Sequence, residues 1–248
     1  MVNFMRILAT VSYNGTNYQG WQKQPNAITV QETIEKDLSK FFNQPVTIYG
    51  AGRTDAGVHA LGQKFHFDIE KDSLDLDRLI YSLNCMLPAD IKIEDMEEVE
   101  PDFHARFSAK EKVYGYSIIL DSKDVLFYNI MYTCPYDINP DILEIALTHF
   151  IGTYNFKNFT SKETDKDNFV RTIYDIKVNR SEKEISVTLR GNGFMRYMIR
   201  FIIGTAIQVA LGNEVMETID ELLDEKSERK VVSWKAPANG LILLDVLY

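Results

Sequence analysis

Val46-Thr47-Ile48-Tyr49-Gly50-Ala51-Gly52-Arg53-Thr54-Asp55-Ala56-Gly57-Val58-His59-Ala60 joins a short apolar run to a glycine-punctuated bend. The run Val46–Tyr49 reads as a strand. Three glycines then fall within the eight residues from Gly50 to Gly57. They mark places where the backbone needs positive φ or lies close against another element. The bend carries one cation, one hydroxyl, one carboxylate and one imidazole, and small residues flank Asp55. Read by itself the stretch is compatible with two arrangements. One is a plain Gly-rich turn that pairs Arg53 with Asp55 at the surface. The other is a loop that presents an unscreened carboxylate for chemistry.

The flanking sequence places this bend in a fold. Upstream, Ile7, Ala9 and Val11 alternate with Leu8, Thr10 and Ser12, which predicts a largely buried opening strand. The loop Tyr13–Gln22 is dense in amides and aromatics. It is either an ordinary turn with its aromatics folded onto the core or a polar, stacking surface for RNA. Thr29 and Glu32 form a capping box, and Val30, Ile34, Leu38, Phe41 and Phe42 keep helical spacing on an amphipathic helix. Downstream, Phe65, Phe67 and Ile69 alternate with Lys64, His66 and Asp68 as a half-buried strand. A second helix through Leu76, Leu79, Ile80 and Leu83 stops near Pro88, and a strand follows through Ile91 and Ile93. Strand, helix, strand, strand, helix, strand is an α+β pattern, a mainly antiparallel sheet with helices on one face.

The rest of the chain repeats this logic without repeating the sequence. The division is expected at 1–105 and 106–248, with Tyr114 and Tyr116 on the first strand of the second half. Asn139 and Pro140 cap and start a helix carrying Ile142, Ile145, Ala146 and Phe150. Ser161–Asn168 reads as a polar surface loop. Strands are expected at Val170–Val178 and Ile185–Leu189. Gly191-Asn192-Gly193 turns into a long helix, Phe194–Leu211, which Gly212 ends. A small helix carries Val215, Ile219, Leu222 and Leu223, and Leu241–Leu247 is the last strand.

The 248 residues suffice for a sizeable core, and the 45% hydrophobic and 25% charged composition is ordinary for a soluble globular protein. The formal net charge of -9 by itself argues against a nucleic-acid partner. The acids are concentrated, however. Asp90–Asp102 holds seven of them against Lys92 alone, whereas Arg190–Arg200 holds three arginines and no acid. A basic surface on an acidic body is compatible with these numbers. Cys85 and Cys134 offer neither a metal spacing nor a disulfide framework, which fits a reducing compartment. Arg6 interrupts the first apolar run, so no leader is expected. Phe201–Leu211 is too short to span a bilayer. A cytoplasmic location is expected.

Individual residues carry rival readings. Asp55 is the candidate catalytic carboxylate, able to act as nucleophile or proton acceptor if a cation holds it ionised. Arg200, with Gly204 one turn later to admit another element, is the candidate cation. A lone arginine on an apolar helix also snorkels to the surface. His59 lies four residues after Asp55, but His66 and His104 stand at no recognised metal-ligand spacing. The glycines of the bend lack the Lys-Ser/Thr ending of a phosphate loop. Tyr114 and Tyr116 share a strand face. They are either two half-buried aromatics or include one ring that stacks on an extruded base.

Several stretches in order resemble the TruA-type tRNA pseudouridine synthases. Ala51-Gly52-Arg53-Thr54-Asp55-Ala56-Gly57-Val58-His59 is similar to the family's catalytic loop, and Tyr13-Asn14-Gly15 with Gly20-Trp21-Gln22 to its first motif. Phe103–Ala109 with Lys112-x-Tyr114-x-Tyr116 resembles the second, Gly191–Gly204 the third, and Ala236-Pro237-x-x-Gly240-Leu241-x-Leu243 the fourth. Gly115 between the tyrosines and the pair Arg196-Tyr197 depart from the common pattern. The resemblance implies isomerisation of uridine to pseudouridine in the anticodon stem-loop of tRNA, at positions 38, 39 and 40. It also implies an active-site cleft between the two halves, a homodimer and no cofactor or metal. It implies Asp55, Arg200 and Arg53 as catalytic residues. Tyr114, His59, Arg106, Lys110 and Leu241 would contact the substrate. Attack by Asp55 on the flipped nucleotide and abstraction of its 2′ proton both fit. Two other classes stand beside this reading. One is a non-catalytic tRNA-binding or tRNA-folding protein, which has no need of Asp55; the other is a small-molecule hydrolase using Asp55 and His59. A synthase restricted to fewer tRNA positions would share every motif.

Overall fold

Thr29 opens the first helix as the capping box predicts: its Oγ1 accepts the Glu32 backbone N–H at 3.4 Å. The helix, α1 (Val30–Phe42), buries Val30, Ile34 and Leu38 and ends at Asn43 in the left-handed region. This architecture is seen in a computed structural model that describes residues 4–71, 73–120, 125–161 and 168–248. The polar loop expected at Ser161–Asn168 lies, at 162–167, outside the described residues. The chain divides into two units, Met1–Lys110 with Ile242–Tyr248, and Glu111–Leu241. Both are α+β, as the alternation of elements predicts.

In the first unit β1 (Phe4–Tyr13) lies between β3 (His59–Glu70) and β4 (Ile91–Val99), antiparallel to both. The two-residue β2 (Tyr49–Gly50) pairs antiparallel with β3, and β10 (Leu241–Leu247) joins it in parallel through Ile242 and Leu243. Ile7, Ala9, Val11, Phe65, Phe67 and Ile69 are buried, as their alternation predicts. Phe42 of α1 reaches Phe67 at 6.3 Å, and α1 lies beside α2 (Leu76–Met86).

Two details differ from the sequence reading. The strand expected at Val46–Tyr49 pairs only at Tyr49–Gly50. The Ile48 N–H donates to the Glu35 carboxylate at 3.2 Å, and the Ile48 carbonyl accepts from Gln31 Nε2 at 3.1 Å. Two buried polar side chains of α1 thus take the bonds that a neighbouring strand would have made. The expected division at 105/106 also differs from the observed one. Arg6 grips Asp68 with two 2.7 Å bonds and donates to the carbonyls of Pro101 and Phe103 at 2.6 and 2.7 Å. The Tyr248 hydroxyl donates to the Ala105 carbonyl at 2.9 Å, and the Lys110 N–H to the Leu247 carbonyl at 2.8 Å. The segment through Lys110 and the closing strand therefore both belong to the first unit.

In the second unit β5 (Glu111–Ile119), β9 (Glu184–Gly191), β8 (Val170–Arg180) and β7 (Gly152–Asn155) form an antiparallel sheet in that order, with β6 (Tyr132–Thr133) parallel to β5. α3 (Pro140–Thr148) packs against α4 (Met198–Ala210), and α5 (Met216–Leu223) follows. Asn139 caps α3 by accepting from the backbones of Asp141 and Ile142. Its inner face is Leu143, Ala146 and Leu147, and Ile145 is 53% exposed, so the apolar stripe is rotated from the expected one. α4 starts four residues later than Phe194, because Tyr197 takes the left-handed conformation, φ 64° and ψ 0°. Among the described residues no helix is long and apolar enough to cross a membrane.

Candidate active site

The loop before β3 is held by hydrogen bonds to its backbone at several positions on either side of Asp55. The Ala51 N–H donates to the Lys64 carbonyl at 2.7 Å, and Gln63 Nε2 donates to the Gly52 carbonyl at 3.1 Å. The Thr54 carbonyl accepts the Trp21 N–H at 3.1 Å, and the Asp55 carbonyl accepts the Val58 N–H at 3.1 Å. The second bond closes a β-turn whose third residue is Gly57, at φ +77°. A type II turn requires positive φ there, and glycine adopts it without strain. Gly20 is needed on the opposite side, where a Cβ would sit 2.6 Å from the Thr54 carbonyl oxygen.

Beneath this backbone is a buried polar floor that sequence reasoning missed. The Tyr13 hydroxyl lies 2.8 Å from Thr54 Oγ1 and is also hydrogen-bonded to Gln63. Burial pushes the Tyr13 phenol well above its ordinary pKa, so it stays neutral. Trp21, buried against Tyr13 and Phe65 at 6.0 and 6.1 Å, walls this region. A Cβ on Gly50 would meet its indole at 2.5 Å. The signal for this floor was Tyr13 at the end of a buried strand: a phenol there needs a polar partner.

Along the loop Arg53 is exposed, Thr54 buried, Asp55 half-buried and Ala56 exposed. Asp55 is therefore the one carboxylate of the bend, on a backbone tied down on both sides. Such a group reaches its working geometry with little reorganisation. His59 is 4% exposed at the head of β3, and its Nδ1 accepts the Gly15 N–H at 3.1 Å. That bond makes Nδ1 the unprotonated nitrogen and ties the loop's end to the Tyr13–Gln22 loop.

Arg106 and Lys110, also of the first unit, are exposed. The Arg106 guanidinium lies over the Phe107 ring, 5.6 Å from its centroid. The segment's other anchor is His66, whose Nδ1 accepts the Ala105 N–H at 3.1 Å under the stacked Tyr49 ring. Burial first, then the neighbouring His104 and Arg6, push the His66 pKa down to about 4.

The remaining candidate residues belong to the second unit. Tyr114 is 7% exposed on β5, opposite Leu189, with Phe194 edge-on at 5.4 Å. Tyr116 is fully buried. Its hydroxyl donates to the Pro237 carbonyl at 2.9 Å, and a Cβ on Gly240 would overlap its ring. Of the two tyrosines, Tyr116 thus has a packing role. Leu241 is buried at the start of β10. Arg200 is locked to the Trp234–Ala236 segment: its Nε donates to the Ala236 carbonyl at 2.7 Å, and the Ala236 N–H donates to the Arg200 carbonyl at 2.9 Å. Gly204 permits this approach, since a Cβ there would lie 2.2 Å from the Trp234 carbonyl oxygen. The close neighbour expected from Gly204 is therefore present.

With this geometry in place, comparison with known proteins gives the class. The chain belongs to the tRNA pseudouridine synthase family, whose model matches residues 9–108 and 146–248. The tRNA pseudouridine synthase A of Anoxybacillus flavithermus is 41% identical over 244 residues, spanning 98% of each chain. That of Acetivibrio thermocellus is 40% identical over 240 residues, spanning 96% of this chain and 97% of the relative. That of Exiguobacterium sibiricum is 37% identical over 243 residues, spanning 98% of this chain and 96% of the relative. The enzyme class is that of the family, an isomerase that forms pseudouridine in tRNA.

Proposed function

We propose that this chain isomerises uridine to pseudouridine in the anticodon stem-loop of tRNA, at positions 38, 39 and 40, with Asp55 as the catalytic residue. The observation that carries the reading is the anchored Arg53-Thr54-Asp55 segment, whose backbone is held by hydrogen bonds from Trp21 and Val58 and which bears the carboxylate of the bend. A non-catalytic RNA-binding protein has no use for such a fixed acid.

The reaction breaks the bond from uracil N1 to ribose C1′ and joins C5 to C1′, while C5 gives up its proton and N1 takes one up. No group is added, so a carboxylate suffices and no cofactor or metal is required. The base leaves its stack at a cost of about a few kcal/mol. Stacking on the Tyr114 ring returns about 1–3 kcal/mol. Arg200 favours the ionised form of the catalytic acid, and the exposed Arg53 holds the displaced nucleotide. Arg106 and Lys110 contact phosphates. The buried His59 serves the substrate through the loop it holds, and Leu241 through the backbone path it sets. The enzyme acts in the cytoplasm as a homodimer.

The test is uridine-bearing tRNA incubated without metal, followed by pseudouridine mapping. The parent should modify positions 38–40, and Asp55→Asn should bind tRNA normally with turnover below a few per cent. Parent-like conversion by Asp55→Asn removes the catalytic assignment; modification elsewhere in the tRNA removes the positional one.

A further inference from the structure

Tyr197 combines two unusual features. It is an aromatic residue in the left-handed region, φ 64° and ψ 0°, which bulky L-residues seldom occupy. Three cations also surround its ring. Lys235 Nζ lies 4.3 Å from the centroid, and the Arg196 and Arg200 guanidinium carbons lie at 4.7 and 5.5 Å. Arg196 Nη2 also donates to the Tyr197 hydroxyl at 2.8 Å.

The cations arrive by separate routes. Arg196 precedes the ring in sequence, and Arg200 stands on the first turn of α4. Lys235 comes from a distant segment, held there by the reciprocal Arg200–Ala236 bonds and the close approach at Gly204. The faces of an aromatic ring attract cations, so the ring offsets part of the repulsion among three like charges. An anion between them offsets more. Arg196 and Lys235 are both exposed, so their charged ends are open to a ligand. Arg supplies a planar fork and Lys a point charge, a combination that suits a phosphate. A strained residue that holds its neighbours' charges in place is the kind of outlier found at binding sites.

We propose that Tyr197 is a positioning residue that gathers Arg196 and Lys235, beside Arg200, into a cradle for one phosphodiester of the RNA backbone. This rests on tRNA being the substrate. The cradle supplies affinity and register without reading sequence.

The test measures equilibrium binding of unmodified tRNA across a salt series for the parent, Arg196→Gln, Lys235→Gln, Tyr197→Asn and Tyr197→Phe. Full loss of this one phosphate contact should make the slope of log affinity against log salt shallower by about 0.7–0.9, and loss of one of its cations by part of that. Arg196→Gln and Lys235→Gln should each flatten the slope without changing Tm. Tyr197→Asn should flatten it too, with Tm equal or higher, because asparagine tolerates the left-handed conformation. Tyr197→Phe keeps the ring and loses only the Arg196 bond to the hydroxyl, so it should flatten the slope less than Tyr197→Asn. A parent that binds no tRNA overturns the substrate reading and the cradle with it. A parent that binds, with cation variants of unchanged slope, overturns the cradle alone. Flattening by the cation variants but not by Tyr197→Asn, or a fall in Tm with Tyr197→Asn, overturns the positioning role of the ring.

Discussion

The hydroxyls of Tyr13 and Thr54 meet at 2.8 Å in the buried interior of the first unit, one residue before Asp55 in the chain. This contact joins the end of the opening strand to the bend that carries the candidate acid. Thr54→Val keeps the shape and leaves the Tyr13 phenol short of a partner. Gln63 still bonds the phenol, so the loss is that of one hydrogen bond, about 0.5–1.5 kcal/mol, a fall in Tm of roughly 1–6 °C for a chain of this size. Pseudouridine formation under saturating tRNA should drop at least tenfold while tRNA affinity holds. A parent-like rate in Thr54→Val would show that the floor does not position Asp55.

Gly204 is the clearest packing constraint in the second unit. Alanine there places a methyl against the Trp234 carbonyl, a backbone group that cannot swing aside. Overpacking of this kind costs about 1–3 kcal/mol. The shift should also loosen the reciprocal bonds between Arg200 and Ala236, so Gly204→Ala should lose both Tm and activity. Thermal melts and rates at a temperature where the variant is fully folded separate the two effects. Undiminished activity there would detach Gly204 from the function of Arg200.

Tyr114 is buried, so its substitutions must be read against stability. Tyr114→Phe preserves the edge-on contact with Phe194 and should keep most of the single-turnover rate. Tyr114→Ala leaves a cavity worth about 3–5 kcal/mol and should lose the rate as well. A Phe variant as inactive as Ala would give the hydroxyl, rather than the ring, the essential role.

Acid should destabilise the first unit in two stages. The His66 pKa is depressed from 6.5 to about 4, so below pH 6.5 the unfolded state binds the extra proton. The stabilisation is full above pH 6.5 and is lost as pH falls towards 4. Asp68 follows at lower pH, since its hydrogen bond to Arg6 holds its pKa below 3.8. Its contribution is present above that value and disappears as pH drops through the lowered one. His66→Gln can still accept from the Ala105 N–H and does not titrate, so its Tm should be flatter between pH 6.5 and 4. An unchanged Tm–pH curve would exclude His66 as the source.

What the chain encodes locally is legible in the order of its residues. The capping box at Thr29, the alternation through Ile7–Val11 and Phe65–Ile69, and the bounds of Leu241–Leu247 follow from periods of 3.6 and 2 and from neighbouring residues. The glycines around Asp55 likewise announce a bend with special backbone requirements. Tertiary structure alone decided where distant groups competed for the same backbone or side chain. Glu35 and Gln31 took the hydrogen bonds of Ile48 from a would-be strand. Tyr197 turned left-handed and delayed α4, a conformation its residue type opposes. Tyr13 found Thr54 across 41 residues of chain, and Arg6 and Tyr248 drew residues 101–110 onto the first unit. Such partners lie far apart in sequence, and no local pattern records them. They are selected when the folded chain satisfies its buried polar groups together.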